Sequence, residues 1–299
     1  MDLSGIYPAL TTPFAADGRV SLGDLQHNIR LYNRTELAGY VVLGSTGESV
    51  LLSSTEGESI LETVRKTAGP GKRLIAGTGA ESTAETIAKT KRAAELGYDV
   101  ALVKTPYYYK PAYKPAVFSR HYRAVADASP IPVLLYSVPV FTGVALESAD
   151  VIALSDHPNI VGIKDSSGDV RRIAETVAGT PGEFQTLTGA ASTVLSCLAI
   201  GASGAILALA SALPEKCAEL YRLFRQGQAE EARALQWALV EASQVIVSEM
   251  GIAGVKHAMD LRGYRGALPR LPLLPLQEEQ KKRLSATLAK MEPVGSRAV

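Results

Sequence analysis

The strongest constraint on the fold is an eightfold alternation of strand-like and helix-like segments. Short apolar runs fall at residues 5–10, 39–43, 73–76, 100–103, 132–135, 160–163, 185–187 and 205–207, each followed by a helical pattern. Apolar runs of this kind suit strands buried on both faces. Thr55-x-x-Glu58 and Ser82-x-x-Glu85 have capping-box spacing, predicting helices at 60–68 and 87–96. Gly69 and Gly97 follow them, where a left-handed residue is wanted. Alternating strands and helices imply a parallel sheet covered on both faces. Eight such units, ending with a helix at 214–225 before Gly227, match the length of a (β/α)8 TIM barrel. An open doubly wound sheet is the alternative, disfavoured because no phosphate-binding first turn is present. Gly77-Thr78-Gly79-Ala80-Glu81 follows a strand but lacks the third glycine of a dinucleotide fingerprint.

After Gly227 the pattern changes. A long amphipathic helix is predicted at 229–250, another starts at 255–261, a proline-rich stretch covers 268–275, and a last helix spans 278–290. The chain therefore reads as a barrel domain at 1–226 and a C-terminal helical domain at 227–299 suited to assembly.

Thirty-one Lys plus Arg against 30 Asp plus Glu, a net charge of +1, leave no basic stripe for nucleic acid, so a small-molecule substrate is expected. Met1-Asp2-Leu3-Ser4-Gly5 lacks the basic start and apolar core of a secretory leader, and no apolar run approaches a membrane helix. With Cys197 and Cys217 expected as buried thiols, a cytoplasmic location follows. His27, His121, His157 and His257 stand at no ligand spacing, so no metal is expected.

In a parallel barrel, chemistry sits at the C-terminal ends of the strands. Those ends read Gly44-Ser45-Thr46-Gly47-Glu48, Thr105-Pro106-Tyr107-Tyr108-Tyr109, Tyr136-Ser137-Val138-Pro139, Lys164-Asp165-Ser166 and Thr188-Gly189-Ala190. Lys164 closes an otherwise apolar strand, a setting that can leave the amine nucleophilic for Schiff-base chemistry. The bland reading is a strand-end lysine that reaches solvent or pairs with Asp165. Tyr136, 28 residues earlier, falls on the neighbouring strand end, where a phenol can shuttle protons. Ser45 and Thr46, between glycines, can present N–H and O–H groups to a carboxylate. Tyr107–Tyr109 could equally be packing aromatics, and the Gly-Ser-Thr-Gly run only a turn.

These motifs, with Ala9-Leu10-Thr11-Thr12-Pro13-Phe14 before them and Leu271-Pro272-Leu273 after, resemble the pyruvate-dependent class I aldolase family that includes dihydrodipicolinate synthase and N-acetylneuraminate lyase. The resemblance spans nearly the whole chain. It implies a TIM barrel with a helical C-terminal domain, assembled as a homotetramer (a dimer of dimers), with no cofactor. It also implies that Lys164 forms the Schiff base with pyruvate or another 2-oxo acid, that Tyr136 is the acid/base, and that Ser45 relays protons. Tyr108 would complete the relay in a neighbouring subunit's site. Thr46 and Ser166 would hold the substrate, with Gly189 and the Ile206 carbonyl lining the pocket. Synthases that condense pyruvate with aspartate semialdehyde carry an arginine two residues after the proline of Tyr-x-Val-Pro, where this chain has Phe141. Residues 129–139 and 157–170 look closest to the 4-hydroxy-2-oxoglutarate aldolases, which release pyruvate and glyoxylate. From those, Thr46 and Phe141 are departures. The expectation is thus cleavage of a 4-hydroxy-2-oxo acid to pyruvate and an aldehyde, with dihydrodipicolinate synthase as the alternative. A non-catalytic 2-oxo-acid-binding protein is the remaining possibility, one that would need no nucleophile.

Overall fold

The computed structural model describes residues 1–291 of the chain. Eight strands form one wholly parallel sheet: β1 Gly5–Pro8, β2 Gly39–Val42, β3 Arg73–Gly77, β4 Val100–Lys104, β5 Val133–Ser137, β6 Ile160–Asp165, β7 Gln185–Thr188 and β8 Gly204–Leu207. They are ordered β1-β8-β7-β6-β5-β4-β3-β2. The ring closes between the two ends of that order, where Leu10 N–H donates to the Val41 carbonyl at 2.9 Å and Ala9 bridges Val41. The predicted barrel is therefore the observed one.

The outer ring consists of α1 Leu22–Tyr32, α2 Ser54–Thr67, α3 Thr83–Glu95, α4 Pro115–Ala128, the short α5 Pro139–Thr142, α6 Ser148–Leu154, α7 Val170–Gly179, α8 Val194–Ala199 and α9 Pro214–Arg225. Side chains alternate along each strand, so one set fills the barrel and the other meets the helices. Tyr7, Val41, Ile75, Leu102, Leu134, Leu187 and Ile206 form the interior set. Ala101, Val103, Val133 and Leu135 pack outward under Phe118 and Tyr122 of α4.

Local signals shifted in three places. The capping box of α2 is Ser53 with Glu56, not Thr55 with Glu58: Glu56 N–H donates to Ser53 Oγ at 3.2 Å and Ser53 N–H to Glu56 Oε2 at 2.9 Å. Ser53 lies two residues earlier and has the extended backbone an N-cap needs. Gly97 takes the left-handed conformation expected of it, at φ 78°, whereas Gly69 does not, because the preceding C-cap residue Ala68, at φ −59° and ψ 135°, has already left the helix. The long C-terminal helix is interrupted: α10 Ala229–Ser243 runs into a π-helical segment, Gln244–Glu249, before α11 Gly251–Leu261. Helix α12, Glu278–Ala289, packs on α11. Residues 292–299 of the expected C-terminal domain lie outside the described residues. Among the described residues no helix is long and apolar enough to cross a membrane.

Candidate active site

Strand register brings the key side chains together. Tyr136 of β5 is the Cα partner of Lys164 of β6, and Lys104 of β4 is the partner of Tyr136. Paired positions of a parallel ladder share a face, and Leu102, Leu134 and Leu187 set that face as the barrel interior. All three polar side chains thus stand in the top layer. Lys164 is only 4% exposed, and its Nζ lies 4.3 Å from the centroid of the Tyr136 ring. The Tyr136 hydroxyl lies 3.4 Å from Ser45 Oγ, at the long end of hydrogen bonding. Apo sites commonly show such slack and tighten when substrate binds.

Ser45 comes from a 3₁₀ turn, Ser45–Gly47, bracketed by two non-glycine residues in the left-handed region, Leu43 at φ 59° and Glu48 at φ 55°. Backbone strain of this kind costs about 1–3 kcal/mol per residue and collects at functional sites. Close approach makes the turn possible: a Cβ on Gly77 would sit 2.2 Å from the Leu43 carbonyl oxygen. Thr46, half-buried, lies on the same turn beside Ser45.

Ser166 and Gly189 are neighbours, since a Cβ on Gly189 would fall 1.9 Å from Ser166 Oγ. Gly189 N–H donates to the Asp165 carbonyl at 2.6 Å, tying the ends of β6 and β7. Asp165 points away from the barrel interior, so it is not the partner of Lys164 that a strand-end pair would require. Burial raises its carboxyl pKa, opposed by hydrogen bonds from Ser167. The Ile206 side chain is fully buried in the barrel interior.

Tyr108 stands apart: it is 72% exposed on the β4 loop, edge-on to Tyr109 at 5.0 Å. Among the described residues its hydroxyl makes no hydrogen bond to Ser45 or Tyr136 of its own chain. Phe141 is 62% exposed on α5, beside the even more exposed Val140.

Three polar residues escaped the sequence reading. Glu81 Oε2 accepts from the Tyr107 and Tyr108 N–H groups at 3.0 and 2.9 Å, holding the loop that carries Tyr108. Lys104 donates to the Gly79 carbonyl at 2.6 Å, and burial lowers its pKa. Lys110 lays its chain over Gly143, where a Cβ would meet Lys110 Cε at 2.9 Å and Nζ at 3.8 Å. Period-two alternation from Leu102 was the one signal that could have placed Lys104 inside. Nothing local marked the other two.

A cavity of about 480 Å³ opens from Ser45 and Tyr136 outward between α2 and α3, past Glu58, Lys89 and Arg92. Its wall includes Tyr136 but not Lys164, so it adjoins the Lys164 amine rather than surrounding it. Among the described residues no cluster of His, Cys, Asp and Glu could hold a metal ion. Cys197 and Cys217 are free and buried, with the Cys217 thiol pushed up to about 12 by burial.

An amine kept dry at the mouth of a parallel barrel, a phenol against it and a hydroxyl behind the phenol are what imine-forming carbon–carbon chemistry needs; this is the architecture of a class I aldolase. Residues 2–291 match the dihydrodipicolinate synthetase family, and the chain belongs to that family. It is accordingly an enzyme, a lyase of the aldolase type that works through a Schiff-base lysine. Among similar proteins, the 4-hydroxy-tetrahydrodipicolinate synthase of Exiguobacterium sp. is 35% identical over 291 residues, 97% of this chain and 99% of that one. That of Xanthomonas campestris pv. campestris is 38% identical over 300 residues, covering 99% and 98%. Among solved structures, a dihydrodipicolinate synthase of Bacillus anthracis superposes with a TM-score of 0.93 at 30% identity, covering 98% of this chain and all of that one.

Proposed function

We propose that the chain is a pyruvate-dependent class I aldolase in which Lys164 is the Schiff-base nucleophile and Tyr136 the acid/base. The observation that carries this is the Lys164–Tyr136–Ser45 line, with the amine 4.3 Å from the phenol ring and the phenol oxygen 3.4 Å from the serine. Lys164 attacks the 2-oxo carbon, and loss of water gives a protonated imine. The imine draws electrons from the C3–C4 bond, which breaks to leave an enamine. As the aldehyde departs, Tyr136 takes the proton of the C4 hydroxyl, assisted by Ser45. Protonation of the enamine and hydrolysis then release pyruvate and the free amine. Condensation is the same path reversed, beginning from pyruvate. Thr46 and Ser166, on turns to either side, would hold the 2-oxo acid's carboxylate, with Gly189 packed behind Ser166. Tyr108 would enter the relay of a neighbouring copy, in a homotetramer.

For the second substrate, kinship and one residue point in different directions. The relatives bear the name of 4-hydroxy-tetrahydrodipicolinate synthase, which supports condensation of pyruvate with aspartate semialdehyde. None of the relatives named here supports placing the chain nearest the 4-hydroxy-2-oxoglutarate aldolases. What favours cleavage of a 4-hydroxy-2-oxo acid to pyruvate and an aldehyde such as glyoxylate is Phe141, whose ring offers no bidentate grip on a second carboxylate. The ratio of kcat/KM for the two reactions decides between them. A cytoplasmic location belongs with either reading.

A further inference from the structure

The proposed site leaves one large polar feature unused. Lys256 of α11 and Glu48, the last residue of the Gly-Ser-Thr-Gly-Glu motif, form an ion pair at 2.6 Å with both side chains 0% exposed. The Lys256 amine meets Glu48 Oε1 directly and also donates to the Leu268 carbonyl at 2.9 Å. Glu48 Oε2 accepts the Arg270 N–H at 2.8 Å. Burial lowers the Lys256 pKa, and the carboxylate opposes that shift.

Such a pair is a poor way to stabilise a fold. Taking both charges out of water costs several kcal/mol each, and apolar side chains of the same volume often serve as well or better. Its benefit has to be placement. Glu48 N–H closes the turn on the Ser45 carbonyl at 3.0 Å, so the backbone that carries Ser45 and Thr46 is continuous with the buried carboxylate. The same carboxylate region is enclosed by the first motif of the chain. Thr12 Oγ1 donates to the Gly47 carbonyl at 2.7 Å, and Thr11 Oγ1 reaches Met259 Sδ at 3.3 Å. The Phe14 ring lies 4.5 Å from the Lys256 amine and 4.3 Å from the Arg270 guanidinium. Opposite, residues after α11 lie directly on the lysine: a Cβ on Gly266 would be 1.9 Å from the Lys256 carbonyl oxygen. Arg270 then donates to both Glu56 oxygens at 2.9 and 2.6 Å and to the Leu51 carbonyl at 2.9 Å, clamping the start of α2.

We propose that Glu48 and Lys256 are positioning residues for the Ser45–Thr46 turn, through which the C-terminal helices set the distance between Ser45 and the Tyr136 hydroxyl. The inference rests on the reading of Lys164, Tyr136 and Ser45 given above. It assigns the C-terminal domain a catalytic consequence besides assembly.

The test neutralises the pair without leaving a lone buried charge: Glu48→Gln with Lys256→Met, in the full chain. Secondary structure and thermal unfolding are measured, followed by kcat and KM for the 2-oxo acid, and borohydride trapping with pyruvate. Displacement of about 1 Å can cost up to 10²-fold in rate, so kcat is expected to fall at least tenfold, with a raised KM, in a folded protein that still traps pyruvate on Lys164. In a background carrying Ser45→Ala and Thr46→Ala, the same neutralisation is expected to cost less than about twofold more, because groups acting through one another are not additive. Glu48→Asp, which keeps the charge but shortens its reach, should lower kcat in the same direction and keeps the test open if the neutral pair does not fold. Turnover and KM within about twofold of the unmodified protein in a folded variant overturn the inference, as does a full additional loss in the Ser45→Ala, Thr46→Ala background. Failure of the unmodified protein to trap pyruvate on Lys164 overturns the site reading itself, and this inference with it.

Discussion

Lys164 Nζ stands 4.3 Å from the centroid of the Tyr136 ring, on strands whose register makes the two residues direct partners. The phenol is thereby held between the amine and Ser45. In the proposed mechanism, an acid/base placed there serves both imine formation and the proton of the C4 hydroxyl. Tyr136→Phe is expected to lower kcat by at least about 10²-fold, within the range for losing a positioned proton donor. Ser45→Ala should cost less, and the double variant should be no worse than Tyr136→Phe alone. Steady-state kinetics on the three variants check this; full additivity would mean that Ser45 does not act through Tyr136.

Tyr108 provides the test of assembly. Its exposure in one chain and its separation from Ser45 agree with a role in another copy's site. Mixing Lys164→Ala chains with Tyr108→Phe chains should produce hybrid oligomers in which some sites contain both groups and regain activity. Hybrids that form without recovery would place Tyr108 in its own chain's site or outside the chemistry.

In the proposed site, specificity is expected to turn on the rim around Phe141. If aspartate semialdehyde is the acceptor, a cation other than an arginine at 141 has to hold its carboxylate. Lys110, whose side chain lies over Gly143 two residues from Phe141, is the cation this prediction tests. Loss of a charge-assisted hydrogen bond costs about 1.5–3 kcal/mol, so Lys110→Ala should raise KM for the semialdehyde roughly tenfold or more and leave KM for pyruvate little changed. Phe141→Arg should improve condensation in the same assay. If condensation in the unmodified chain is slower by kcat/KM than cleavage of a 4-hydroxy-2-oxo acid, and Lys110→Ala changes neither, the cleavage reading stands.

Stability should depend on His121. It is buried on α4 with Nδ1 2.9 Å from Thr83 Oγ1 and, among the described residues, no hydrogen-bond partner for Nε2, and burial lowers its pKa to about 4. The unfolded chain takes up the proton near pH 6.5, before the folded one does, so stability is full above that pH and lost as pH falls toward 4. At about 1.4 kcal/mol per unit, the loss is roughly 3 kcal/mol. Denaturant midpoints measured between pH 7 and 4 should fall in the unmodified protein and fall less in His121→Phe. Parallel curves would assign the acid sensitivity to other groups.

Much of the candidate site was legible because barrel chemistry lies at strand ends, and the strands announced themselves as apolar runs. Lys164 and Tyr136 come together because β5 and β6 are adjacent, as the order of units implied, whereas the contact of Ser45 with the Tyr136 hydroxyl comes from the turn after β2. Lys256 was not legible: on α11 it reads as one more solvated lysine, and only the tertiary fold brings it to Glu48, 208 residues earlier. The break in the long C-terminal helix was equally hidden, since the π-helical segment Gln244–Glu249 keeps an apolar face and contains neither glycine nor proline. Tyr108 was readable as a motif but not as a position, because a single chain leaves it exposed.

The central claim is that Lys164 is the nucleophile. Incubation with pyruvate and borohydride, followed by peptide mass analysis, measures it directly. The account predicts an irreversible adduct on the peptide containing Lys164, abolished in Lys164→Ala, and adducts found only on another lysine, Lys104 included, would contradict it.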